Sequence, residues 1–168
     1  MNSSTQLRIT ETAQTAMTTA AARAHPYETG GILIGVHLGE HPWVTVIVEI
    51  PTNERDRSHY RIPAGTTQAA VLRARAADSR LGYLGDWHSH PHDVGPSLTD
   101  LASLARISLK YPRLPNPTQI VVRRTDHEYT FDARRIVLLT PRICTIGLTG
   151  SLPLDPSPNT FPTDPRGA

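Results

Sequence analysis

Residues 30–50 constrain the fold most. "GGILIGVHL" and "PWVTVIVEIP" are two runs dense in β-branched and aliphatic residues, separated by a turn that contains Gly39. Runs of this kind about a glycine turn predict an antiparallel pair of strands, the second alternating in part from Val44 to Ile50. After its two glycines the first run is almost entirely apolar, which places it inside a sheet.

Helical segments alternate with such strands. Ile9, Ala13, Met17, Ala20 and Ala24 recur at steps of three and four, with Thr10 as cap and Glu11 in the first turn, so residues 10–24 read as a helix that His25-Pro26 ends. Thr66 to Ser79 reads as a second, closed near Gly82. "SLTDLASLARISLK" spaces Leu98, Leu101, Leu104, Ala105 and Leu109 as a third, stopped by Tyr111-Pro112. "YLGDWHSH" is a short strand before that helix; "TQIVVRR", "EYTFDA" and "RIVLLT" are three more, the first two forming a hairpin. "NERDRSHYRIP" reads as a charged connection entering a short strand. Without a strict βαβ rhythm, the pattern predicts an α/β class with helices about one central mixed sheet.

The chain has 168 residues, enough for one domain that buries a core without disulfides. Residues 1–150 are expected to form it; residues 151–168, which carry five of the fifteen prolines, read as an extended or disordered tail. Cys144 is the one cysteine, so neither an internal disulfide nor a multi-cysteine zinc site is available, and a reducing, cytoplasmic setting is expected. The formal net charge is +2, Lys110 is the single lysine and no block of like charges occurs, which argues against a nucleic-acid partner. No apolar run approaches the roughly 18 residues of a membrane helix, and the N-terminus lacks a basic segment followed by an apolar one.

Against that background, "GDWHSHPHDVGPSLTD" (Gly85 to Asp100) gathers three histidines, two serines and three aspartates in sixteen residues. Side chains alternate along a strand, so His88 and His90 point to one side and Ser89 to the other. Two imidazoles converging on a point suit zinc, which in catalytic sites keeps three protein ligands and an open position. Asp100, at the start of the third helix, can supply the third ligand; "SLTD" equally fits a capping box in which Ser97 caps the helix and Asp100 reaches back. A hydrolytic site also needs a base. Glu28 stands at the start of the apolar "GGILIG" strand, although a helix-ending surface glutamate would occupy the same place.

Glu28 before that strand, then "HSHP" and "PSLTD", resembles the JAMM signature of the JAB1/MPN/Mov34 metalloproteases, in particular their small stand-alone prokaryotic members. The resemblance spans Glu28 to Asp100, and the order of elements agrees through about residue 148. It implies a single MPN/JAB-like domain with a cytidine-deaminase-like architecture, a central mixed β-sheet flanked by helices. It further implies that His88, His90 and Asp100 bind one Zn2+ with water in the fourth position, that Glu28 is general base and then acid, and that Ser97 stabilises the oxyanion or positions the water. The implied reaction is amide or isopeptide hydrolysis at the C-terminus of a ubiquitin-like (β-grasp) protein, for deconjugation or maturation. Release of an amino acid such as cysteine from a sulfur-carrier protein is the alternative. A catalytically silent binding module is a further reading, and a nucleobase deaminase is disfavoured because the H-x-E and P-C-x-x-C pattern is absent.

An extended carrier tail could lie along a sheet edge as an added strand, with Asn53 to Arg61 or Tyr111 to Pro117 as part of its groove. Asp86 can orient a ligand histidine or face away, and Trp87 is expected in the core. His92 and Asp93 are expected toward solvent, His92 with a possible substrate contact, and Arg123, Arg124, Arg134 and Arg135 at solvated strand ends. His25, His37, His41, His59 and His127 are scattered and carry no expected role.

Overall fold

Two of the three described helices begin where their caps direct. Thr10 Oγ1 accepts a hydrogen bond from Ala13 N at 3.2 Å and opens α1 (Glu11–Ala24). The Ala-rich stretch Thr66–Ala77 forms α2, and Ser97 opens α3 (Leu98–Lys110). The computed structural model describes residues 5–38, 41–50, 62, 65–114, 116–126 and 128–152. Among these, the strands are β1 (Thr5–Thr10), β2 (Gly30–Leu38), β3 (His41–Glu49), β4 (Gly82–His90), β5 (Thr118–Arg124), β6 (Tyr129–Val137) and β7 (Thr140–Thr149). The tail from residue 153, the Gly39 turn, Asn53 to Arg61, His59 and His127 lie outside the described residues.

The domain is α/β with a mixed sheet, but the sheet is a closed barrel in the order β1-β3-β2-β4-β5-β6-β7. This corrects the expected central sheet flanked by helices. Closure comes from a parallel ladder between β1 and β7, from Thr5 opposite Cys144 to Thr10 opposite Thr149. Neither strand was legible: Ile9 was absorbed into the helical period of α1, and "TPRICTIGLT" mixes a proline, three threonines, an arginine and a glycine among its apolar residues and leaves most of its side chains exposed. "EYTFDA" and "RIV" are one strand, β6, and Leu138 and Leu139, at φ 49° and 61°, make the tight turn into β7. Closure gives each described strand a neighbour on both sides, over part of its length in two places: β3 pairs with β1 at Trp43 and Val44, and β6 pairs with β7 from Arg134 to Val137.

Two apolar cores follow from strand alternation. The inner one draws from all seven strands, including Leu7, Leu33, Val44, Trp87, Ile120, Ala133 and Cys144, and from the α1 face of Ala13, Met17, Ala20 and Ala21. The outer one sets Ile32, Ile34 and Val36 of β2 against Ala70 of α2 and Leu81. Burial on both faces explains why β2 is nearly continuous in apolar residues. Gly31 is required by packing between strands, since a Cβ there would lie 1.8 Å from Val48 O.

The β2–β4 ladder holds the feature that aims the site. Gly30 pairs with His88 and Leu33 with Gly85, whereas Ile34 pairs with Tyr83, so Leu84 is an extra residue in β4. This bulge shifts the phase of the strand. Leu84 and Trp87, three residues apart, both enter the inner core, while Tyr83 and Asp86 share the outer face and bond to each other. Gly85 absorbs the distortion at φ 146°, with its α-carbon so close to β5 that a Cβ would meet Thr118 O at 1.7 Å.

Candidate metal centre

After the bulge, β4 presents Asp86, His88 and His90 outward beside Gln119, Val121 and Arg123 of the parallel strand β5. The N-terminus of α3 stands over this row: Gln119 Nε2 donates to Asp100 O at 3.3 Å. Among the described residues, His88, His90 and Asp100 are the group of three ligand side chains that could hold a metal, with donor atoms within 4.8 Å of one another. His88 Nε2 lies 3.1 Å from His90 Nε2 and 3.2 Å from Asp100 Oδ1, and His90 Nε2 lies 3.6 Å from Asp100 Oδ2. Bonds of about 2.0–2.1 Å in a tetrahedron imply donor separations of about 3.3 Å, so the set fits a zinc-sized ion.

Protonation suits that role as well. His90 Nδ1 lies 2.9 Å from Val94 O, where it donates as N–H and leaves Nε2 with its lone pair facing the other donors. Burial lowers the His90 pKa and keeps the ring neutral. Burial works to raise the Asp100 pKa, but hydrogen bonds to His88 and Ser97 outweigh it and hold the carboxyl below its usual range. A neutral imidazole and an ionised carboxylate are the forms a metal takes.

The two readings of Asp100 coexist. Ser97 N donates to Asp100 Oδ2 at 2.6 Å and Asp100 N donates to Ser97 Oγ at 3.1 Å, which completes the capping box. Oδ1 meanwhile faces His88. The cap therefore fixes the carboxylate rather than consuming it, because a carboxylate accepts several hydrogen bonds. Ser97 itself is exposed at the helix start, beside the ligand group.

Glu28 is 5% exposed and comes from the other side. Extending the β2–β4 register by two residues sets it opposite His90, and its Oε1 lies 3.9 Å from His90 Nε2. The surface reading of Glu28 is thereby excluded. Its position is fixed by Ser89, whose N donates to Thr29 O at 2.7 Å and whose Oγ accepts from Thr29 N at 3.0 Å. Thr29 Oγ1 in turn donates to Glu49 at 2.6 Å, and Glu49 pairs with Arg23 of α1.

Asp86 faces outward, with Tyr83 Oη donating to it at 2.6 Å. Burial raises its pKa to about 6 against the opposing pull of Tyr83 and His88. Trp87 is buried, and His92 and Asp93 are exposed. Asp93 pairs with Arg123 at 3.7 Å, tying the loop that carries Val94 to β5. Arg135 departs from expectation: it is 1% exposed, with Nε donating to Asn116 O at 3.1 Å. Sequence reasoning missed Ser89 and the Val94 carbonyl. The strand period points Ser89 away from the ligands without showing what it meets there, and backbone acceptors leave no mark in side-chain patterns.

A groove of about 380 Å³ opens from His88 and Asp100 and runs between β4 and α3, past Tyr83 and Asp86, to Lys110 and Tyr111. Of the two segments expected to line a groove, Tyr111 does so, and Asn53 to Arg61 lies outside the described residues.

Comparisons with known proteins bear on the fold and the family. A solution structure of a Desulfitobacterium hafniense protein superposes with a TM-score of 0.66 at 20% identity, covering 88% of this chain and 95% of that one; it shares the fold. A Pseudomonas aeruginosa protein named CD-NTase/cGAS isopeptidase is 34% identical over 99 residues, 56% of this chain. The match spans about three fifths of that relative, 61% of its length. The family model described as prokaryotic homologs of the JAB domain matches residues 10–137. The chain belongs to the family of prokaryotic JAB-domain homologs.

Proposed function

We propose that the chain is a JAMM-type zinc metallopeptidase that hydrolyses an amide or isopeptide bond at the C-terminus of a ubiquitin-like (β-grasp) protein. The observation that carries this reading is the convergence of His88, His90 and Asp100 with Glu28 set across the ladder from His90. Two imidazoles and a carboxylate would hold the ion. Zinc bound there would polarise the scissile carbonyl and acidify the attacking water.

Glu28 takes the proton of that water and returns it to the departing amine. Its burial keeps the carboxylate close to the reacting atoms and away from bulk solvent. Ser97 Oγ accepts the cap hydrogen bond from Asp100 N, so its O–H is available to donate to the oxygen on which charge develops. The Val94 carbonyl orients the His90 imidazole from outside the ligand set.

Deconjugation or maturation is favoured over release of cysteine from a sulfur carrier, because the Pseudomonas aeruginosa relative is named an isopeptidase. The test uses a β-grasp carrier ending in Gly-Gly, joined either to a lysine side chain or to free cysteine. Metal-dependent release of the lysine is the expected result. Release from the cysteine adduct alone would transfer the chain to sulfur metabolism, and release from neither, by a chain that binds no zinc, would leave the binding-module reading.

A further inference from the structure

The groove that opens from the metal centre is charged asymmetrically. One face of α3 lines it, beginning with Asp100 at the centre and continuing through Ser103, Arg106 and Ile107 to Lys110. Arg106 and Lys110 are exposed and four residues apart, so they lie one above the other on the helix. Neither makes an ion pair with a described residue; Lys110 Nζ rests 5.2 Å from the Tyr111 ring centroid. The wall opposite is Tyr83 of β4, with Thr67 and Gln68 of α2, and among the described residues it carries no basic group. Asp86, the one acid of the lining besides Asp100, is already engaged by Tyr83 close to His88. Among the described residues, the far half of the groove is therefore cationic.

Direction follows from Glu28. As the group that protonates the leaving amine, it marks the amine side of the scissile bond, and it stands beyond His90, away from the groove. The groove is lined by His88 and Asp100 and not by Glu28 or His90. The residues on the carbonyl side, the carrier's own C-terminal tail, thus run along α3.

Spacing fixes which tail residues meet the charges. Arg106 and Lys110 lie six and ten residues beyond Asp100, about 9 and 15 Å along a helix rising about 1.5 Å per residue. An extended chain advances about 3.3 Å per residue. Those distances correspond to about three to five residues before the scissile carbonyl.

We propose that Arg106 and Lys110 select carriers whose C-terminal tail bears acidic residues three to five positions before the cleaved bond. This rests on the metallopeptidase reading for its direction. The test measures binding of two peptides to the zinc-loaded full chain by fluorescence anisotropy at low salt. Both end in Gly-Gly, and they differ only in carrying aspartate or lysine at the third to fifth residues from the end. Two exposed ion pairs predict about tenfold tighter binding of the acidic peptide, declining with added salt. The double variant R106E/K110E, on an exposed helix face, is expected to invert the preference. Equal affinities, or a preference that the double variant leaves unchanged, would overturn the proposal. Lysine adducts of the same tails separate the two claims. A bound but uncleaved acidic tail would refute the metallopeptidase reading alone, and cleavage without charge preference would refute the groove's selectivity alone.

Discussion

Ser89 and Thr29 exchange two hydrogen bonds across the β2–β4 ladder, and this exchange sets Glu28 beside the imidazole of His90. The serine between His88 and His90 thus positions Glu28, the proposed base, from the face opposite the candidate metal centre. Ser89→Ala leaves Thr29 N buried without that acceptor, at a cost of about 1–3 kcal/mol in stability. Displacement of the base should reduce kcat by up to about 100-fold. Zinc content and KM should stay near native values, as mass spectrometry and steady-state kinetics would show. Loss of zinc in this variant would contradict the division of labour.

The double duty of Asp100 can be separated from that of Ser97. Ser97→Ala removes the N-cap and should cost about 1 kcal/mol of stability. It should retain zinc and lose about 100-fold in kcat if its hydroxyl serves the oxyanion. Asp100→Ala should lower zinc affinity by more than the roughly 10–100-fold that loss of an outer partner costs. Equal zinc affinities in the two variants would show that Asp100 only caps the helix.

Much of this was legible in the sequence, and the limits have physical causes. The candidate ligands and the proposed base lie within three short segments whose period and caps are local, so Glu28, His88, His90 and Asp100 could be singled out before the structure. Helices α1 and α3 follow the caps expected for them, Thr10 and Ser97, and α2 begins at the expected Thr66. Barrel closure depends instead on a ladder between Thr5–Thr10 and Cys144–Thr149, elements at opposite ends of the domain with weak strand patterns. The bulge at Leu84 was equally hidden. Uninterrupted alternation would have separated Tyr83 from Asp86, and Gly85 was its only trace.

Gly85 therefore has a direct test. Alanine there would be forced to φ 146° with its Cβ 1.7 Å from Thr118 O. Relief requires β4 to move off β5 or to lose its bulge, which would turn His88 and His90 inward. Gly85→Ala should cost on the order of 3 kcal/mol or more, seen as a lowered urea midpoint. A variant as stable as the native chain would contradict the close approach of these strands.

His37 gives a pH dependence remote from the metal centre. Burial, and then the Arg135 guanidinium, lower its pKa to about 4. Above the unfolded value of about 6.5 the ring is neutral in both states. As pH falls from there toward 4, the unfolded chain takes up a proton that the folded chain refuses, so stability falls. His37→Gln should lessen the drop in urea midpoint between about pH 7 and pH 4.5. An undiminished drop would assign it to other groups.

The central claim is that Glu28 moves the proton in a reaction whose metal is held by His88, His90 and Asp100. The most direct measurement is single-turnover hydrolysis of a Gly-Gly-lysine isopeptide adduct by zinc-loaded native chain and by Glu28→Gln, with the metal content of both determined. The account predicts one zinc per chain in both and a chemical step at least about 100-fold slower in the variant. Equal rates at equal zinc content would contradict it.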